Sequence, residues 1–276
     1  MADIGKMNLL EVVKAVSFGV YVKSDTFPEI LLPQKYVPKN CQIGDKVNVF
    51  VHKDSEDRII AITKEPLAMV GDFACLTVKA VTDIGAFLDW GLEKDLFVPF
   101  REQKIEMEEG RDYTVFIYLD EETDRIAASS KIHSFVNLTP VPFEDGQEVD
   151  VLVLYKTDLG YKCIIEKTHT GVLYENEVFT ELSQGQKMKA YIKKVRDDEK
   201  IDLALQKQGY ARVEGLPEQI LEKLKLQAGF IPLNSKSSPD LIYDAFGVSK
   251  KTFKMAVSNL YKNRLITIED NGIKLV

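Results

Sequence analysis

The chain has 276 residues, 45% of them hydrophobic and 29% charged, a composition that suits a folded globular protein and excludes a disordered or low-complexity one. No stretch approaches the roughly 20 consecutive apolar residues of a membrane helix, and the opening MADIGKMNLLEVV lacks the basic region and apolar run of a secretory signal, so the cytoplasm is the expected location and no membrane partner is expected. The net charge of −7 speaks against a polyanionic partner until it is divided: residues 1–150 hold 16 Lys+Arg against 27 Asp+Glu, whereas residues 151–276 hold 20 against 16, so a nucleic acid would be gripped mainly by the back half.

Read in chain order, the sequence repeats itself three times before it changes character. The first copy runs through LLEVVKAVSFGVYVKS (9–24), EILLPQKYV (29–37) and GDKVNVFVHKDSEDRIIAITKE (44–65). The second reads VGDFACLTVKAVTDIGAFLDW (70–90), KDLFVPFREQKI (94–105) and GRDYTVFIYLDEETDRIAASSK (110–131). The third reads EVDVLVLYKTDLGYKCIIE (148–166), TGVLYENEVF (170–179) and GQKMKAYIKKVRDDEKIDLALQK (185–207). Each copy holds short alternating apolar runs separated by turn residues, the pattern of a small five-stranded barrel. Gly19, Gly85 and Gly160 occupy one equivalent position, where the absence of a side chain is expected to allow the sharp bend or bulge that closes such a barrel.

After Gly215-Leu216-Pro217 the period becomes helical. Ile220, Leu221 and Leu224 mark a first helix, and Pro239 opens a second with Leu241, Ile242, Ala245 and Phe246 apolar and Gly247 ending it. Ser249 caps a third, in which Phe253, Val257 and Leu260 share a face. Leu265–Ile268 and Ile273–Val276 flank Asp270-Asn271-Gly272, a hairpin signal, and three helices with a hairpin look like a winged helix-turn-helix.

Thr82-Asp83-Ile84-Gly85-Ala86-Phe87, Asp120 and Arg125-Ile126-Ala127-Ala128-Ser129-Ser130-Lys131 resemble the S1 RNA-binding domain, an OB-fold. The first copy keeps Phe18-Gly19-Val20-Tyr21 with Asp54, Arg58 and Ile59; the third keeps Asp158-Leu159-Gly160 and Gly171-Val172-Leu173-Tyr174-Glu175-Asn176-Glu177. Over essentially its whole length the chain is similar to the bacterial conserved virulence factor B family. That resemblance implies a mainly β protein with an α+β tail: S1-like barrels at 1–66, 67–133 and 146–210 and a winged helix at 215–276. It also implies RNA as partner and a post-transcriptional regulatory role.

The platform positions of the S1 domain map onto Phe18 and Tyr21, Phe87 and Tyr174, with Arg125 in the terminal motif. Ile84, Pro33, Pro99 and Lys162 depart from the S1 pattern. In the third copy Lys187, Lys189, Lys193, Lys194 and Arg196 surround Tyr191, with Tyr155 and Tyr161 on preceding elements, and basic residues interleaved with aromatics suit a single-stranded groove in which charge follows phosphates and rings accept bases. The third helix of the tail, the recognition helix of such a fold, displays Lys250, Lys251, Lys254 and Lys262, while only Asn259 and Asn263 could read base edges bidentately. Single-stranded RNA is the expected partner, gripped mainly by the third barrel and the tail; duplex DNA or a protein at the winged helix is the alternative, as in a DNA-binding transcriptional regulator.

Cys41, Cys75 and Cys163 are too few and too far apart for a disulfide framework or a zinc site and are expected as reduced core thiols. His52, His133 and His169 lack partners at triad or metal-ligand spacing, and no phosphate-cradling glycine loop occurs, so neither catalysis, a metal nor a cofactor is expected.

Overall fold

In a computed structural model, which describes residues 2–175, 178, 181–205 and 216–276, the chain is mainly β. The expected end of the third module at 210, the start of the tail at Gly215, and Asn176 and Glu177 of the third copy lie outside the described residues. The first barrel comprises β1 (Met7–Val16), β2 (Gly19–Val22), β3 (Ile30–Pro33), β4 (Lys46–Lys53) and β5 (Ile59–Ile62). The second comprises β6 (Phe73–Val81), β7 (Gly85–Leu88), β8 (Leu96–Pro99), β9 (Asp112–Asp120) and β10 (Arg125–Ser129). The third comprises β11 (Glu148–Thr157), β12 (Gly160–Ile165), β13 (His169–Tyr174), β14 (Lys187–Val195) and β15 (Ile201–Ala204). Each closes in the order first, second, third, fifth, fourth strand, with the third and fifth parallel and the other pairs antiparallel.

The equivalent glycines open the second strand of each barrel, at φ 154°, 150° and 138° for Gly19, Gly85 and Gly160. A Cβ there would stand 2.3, 2.4 and 2.2 Å from the carbonyl oxygens of Leu32, Val98 and Leu173 on the third strand. Close backbone approach, rather than a bulge at the glycine, is therefore what the position requires. The irregularity lies in the facing first strand, between Val12 and Lys14, Val78 and Ala80, and Val153 and Tyr155.

Alternation explains the core of each barrel, and its failures explain how barrels pack. On β4, Val47, Val49 and Val51 point inward, yet the outward Phe50 and His52 are buried too, because the second barrel covers them: Phe50 meets the Trp90 ring edge-on at 5.7 Å. Burial pushes the His52 pKa down, favouring a neutral ring whose Nδ1 lies 3.0 Å from the Lys53 carbonyl. On β11, Val149, Val151 and Val153 fill the third barrel, while Leu152 and Leu154 pack with Phe73 and Val136. Each such apolar side chain contributes about 1.5–3 kcal/mol when fully buried. Arg125 with Asp57 (2.6 and 2.8 Å) bridges the first junction and Lys167 with Asp72 (2.6 Å) the second. Cys163 is buried, its thiol pushed up to about 12 by burial, whereas Cys41 and Cys75 are only half-buried, contrary to the expectation of three core thiols.

The tail forms a separate unit: α1 (Leu216–Leu226), β16 (Phe230–Ile231), α2 (Pro239–Phe246), α3 (Lys250–Lys262), β17 (Ile266–Glu269) and β18 (Gly272–Leu275). Ser238 and Ser249 cap α2 and α3, accepting from the Leu241 and Thr252 N–H groups, and Gly247 ends α2 in the left-handed region at φ 62°. The two-residue strand β16, too short to leave a period in the sequence, pairs with β18 and completes the wing sheet. Of the apolar residues of α2, Leu241 is exposed; the neighbouring Ile242, about one-quarter turn round the helix, is the residue that reaches inward. No helix among the described residues is long and apolar enough to cross a membrane.

Gly85→Ala is expected to lower the stability of the barrels by about 1–3 kcal/mol, read as a lower melting midpoint. A variant melting with the wild type would show that closure does not depend on this backbone approach.

Candidate nucleic-acid interface

Strand register lines up the same outward column on each barrel. The residue before the glycine is Phe18, Ile84 or Leu159, each exposed by 55% or more. Two residues after the glycine come Tyr21, Phe87 and Lys162, which face Leu31, Phe97 and Val172 on the third strand. Those in turn adjoin Ile60, Ala127 and Asp202 on the fifth.

On the second barrel this column is an aromatic platform. Phe87 and Phe97 are half-buried, with ring centroids 5.2 Å apart and planes tilted by 37°. They line a cleft of about 520 Å³ together with Ile84, Lys94, Arg101 and Arg125. Arg125 spends its Nε and Nη2 on Asp57 across the junction, so its expected role in gripping a ligand is shared with holding two barrels together. Lys94 donates to the carbonyls of Lys53 and Asp54 at 3.3 and 3.1 Å, and burial, with repulsion from Arg125, lowers its pKa. Of these three cations Arg101 is the least restrained: it is mostly exposed and held by a 3.8 Å approach to Asp120. Phe97 was not singled out in the sequence; it lies ten residues from Phe87, and only the β7–β8 pairing brings the rings together. On the first barrel Phe18 is exposed and Tyr21 half-buried, with the Lys14 ammonium 5.6 Å from the Tyr21 centroid.

The third barrel departs from the reading of its residues as one basic, aromatic groove. Tyr161 is 4% exposed and packs the core, its hydroxyl accepting from the Leu182 N–H, so it cannot stack a base. Tyr174 takes the place of Pro33 and Pro99, and its hydroxyl donates to Asp202 at 3.2 Å while accepting from Arg196. Arg196 also grips Asp202 through Nε and Nη2, both at 3.0 Å, which raises its pKa further and leaves it little capacity for phosphate. The basic strand β14 lies beside β11, whose Glu148 and Asp150 stand opposite Tyr191 and Lys189. Lys189 is paired to Asp150 at 2.9 Å and the Tyr191 hydroxyl donates to Glu148 at 2.8 Å. Lys187 and Lys194 are exposed, Lys193 is half-buried, and Tyr155 is 49% exposed.

In the tail, burial of Phe253, Ala256, Val257 and Leu260 turns Lys251, Lys254 and Lys262 outward, beside exposed Met255 and Tyr261. The helix carries no Asp or Glu. Lys250 is half-buried and donates to the Lys236 carbonyl at 3.4 Å, outside the exposed stripe. Asn263 Nδ2 donates to Asn259 Oδ1 at 2.7 Å, so each of the two amides suited to reading base edges has one of its two polar atoms engaged. Among the described residues no three His, Cys, Asp or Glu side chains are grouped to hold a metal ion.

Known families and proteins are similar to this chain. The S1 domain family matches residues 4–64 and 70–130, and the CvfB-like winged helix domain matches residues 218–275. Conserved virulence factor B of Staphylococcus saprophyticus is 24% identical over 99% of this chain and 94% of its own length. The protein of the same name from Staphylococcus aureus strain MRSA252 is 23% identical with the same coverage. A Streptococcus pneumoniae crystal structure, described as a multidomain protein with nucleic acid binding domains, is 23% identical over 99% of this chain and 98% of that one, with a TM-score of 0.41. The S1 matches fall on the first two barrels; the third closes with the same strand order.

Tyr174→Phe removes a hydroxyl that serves a charged pair and is expected to cost about 1.5–3 kcal/mol of stability, measured by chemical denaturation. A variant as stable as the wild type would show that the hydroxyl is idle.

Proposed function

We propose that this chain, which carries S1 and CvfB-like winged-helix domains and is similar over nearly its whole length to conserved virulence factor B proteins, is a non-enzymatic protein that binds single-stranded RNA and regulates gene expression after transcription. The observation that carries the reading is the half-buried Phe87–Phe97 pair, which lines a cleft with Arg101. Rings that line such a cleft can accept only bases that are free of a duplex stack, and each base stacked contributes about 1–3 kcal/mol. Exposed Phe18 and half-buried Tyr21 extend the same chemistry to the first barrel. The third barrel, through Lys187 and Lys194, and the recognition helix, through Lys251, Lys254 and Lys262, supply most of the charge, and Tyr155 adds a further ring. Three cysteines in free form suit the reducing cytoplasm as the place of action.

A second reading, a DNA-binding transcriptional regulator, draws on the outward lysines of α3. Lysine positions a duplex without specifying sequence, and the hydrogen bond from Asn263 to Asn259 engages one polar atom of each amide and so opposes bidentate reading of a base edge, which favours RNA. Fluorescence anisotropy at matched salt decides between them. An unstructured RNA oligonucleotide is expected to bind more tightly than duplex DNA, and K251A/K254A to make the slope of log affinity against log salt shallower by about 0.7 for each phosphate no longer neutralised. Equal or tighter duplex binding would put the transcription-factor reading ahead, and an unaltered slope would turn α3 towards a protein partner.

A further inference from the structure

A second cleft, of about 420 Å³, lies where the third barrel meets the second. Its size is that of a small-ligand site. In a chain of net charge −7 its lining includes Lys104, His133 and Lys162 and, among the described residues, no Asp or Glu. Neither lysine takes part in an ion pair among the described residues. Lys162 is half-buried, and burial, with repulsion from Lys200, lowers its pKa; an anion in the cleft would relieve both effects.

Register explains how an aromatic ring reaches this cleft. Where the first barrel sets Lys14 on its first strand opposite Tyr21 on its second, the third sets Tyr155 opposite Lys162, the same two residue types exchanged between strands. The exchange falls just past the first-strand irregularity that all three barrels share, here between Val153 and Tyr155. Tyr155 thereby stands under the Lys104 ammonium of the second barrel, 5.9 Å from its ring centroid. Asn137 and Thr170, which bond each other through Asn137 Nδ2 and Thr170 Oγ1 at 3.1 Å, add polar groups to the wall.

We infer that this cleft is a site for one nucleotide, its base stacked on Tyr155 and its phosphate held between Lys104 and Lys162. Stacking displaces an exposed lysine from the ring and frees its ammonium for the phosphate. The nucleotide is a unit of a bound RNA strand or a free nucleotide; the first source deepens the RNA reading and rests on it.

The test uses the full-length protein, a labelled unstructured RNA of about 12 nucleotides, within the site size of such barrels, and AMP. Tyr155→Ala is expected to weaken RNA binding roughly 5- to 150-fold with an unchanged salt slope, and Tyr155→Phe to restore it, since the ring alone stacks. Lys162→Gln is expected to make the slope shallower by about 0.7. Circular dichroism establishes that each variant is folded. AMP binding that disappears in Tyr155→Ala supports the cleft with free nucleotide as its source; the RNA effects without AMP binding support it with the strand as source. Wild-type affinity and slope in folded Tyr155→Ala and Lys162→Gln, with no AMP binding, overturn the cleft and leave the RNA reading standing. A wild-type protein that binds no RNA overturns the RNA reading, and the cleft with it unless AMP binds and is lost in Tyr155→Ala.

Discussion

The outward columns that form the candidate interface depend on one steric constraint, the approach of the second strand to the third at Gly19, Gly85 and Gly160. No side chain fits there, so the glycine locks opposite Pro33, Pro99 or Tyr174. With that register fixed, the residue two places on and its cross-strand partner must share the outer face, since side chains alternate with period two. The same constraint yields an aromatic pair on the second barrel, Tyr21 beside Leu31 on the first, and Lys162 beside Val172 on the third. One scaffold thus presents three chemistries without a change in topology.

Charge sums describe this chain poorly because much of its charge is cancelled across strands. The back half carries more cations than the front, but Lys189 faces Asp150 and Arg196 is held by Asp202. Among the described residues, the uncancelled charge includes three lysines on the outward stripe of α3, Lys187 and Lys194 on β14, and Lys104 and Lys162 in a cleft without carboxylates. Exposed pairs are individually weak, so a polyphosphate could compete for Lys189, but it gains less there than from a lysine that must give up no partner.

Much of the fold was legible in the sequence, since threefold repetition, alternation and the capping signals Ser249 and Gly247 are local properties of the chain. β16 escaped because two residues carry no period, and apolar spacing did not tell which side chain of α2 is buried, since the helix spans only eight residues and buries only Ile242 fully. The candidate site was less legible. Phe87, Phe18 and Tyr21 could be named from their positions in the repeat, but Phe97 gains meaning only from cross-strand register. Tyr161 looked as available as Tyr155, and one residue of register difference sends it inward. The partners of Arg125, Lys189 and Arg196 come from other strands, and no spacing along the chain announces them.

The central claim, that single-stranded RNA lies on the aromatic platform of the second barrel and on the recognition helix, is tested most directly by photocrosslinking. Full-length protein would be irradiated with an unstructured RNA carrying 4-thiouridine, and the crosslinked peptides mapped by mass spectrometry. Crosslinks on the peptides containing Phe87 and Phe97 and on those of Lys250–Lys262 are the predicted result. Crosslinks that avoid both, with efficient crosslinking elsewhere on the protein, would contradict it.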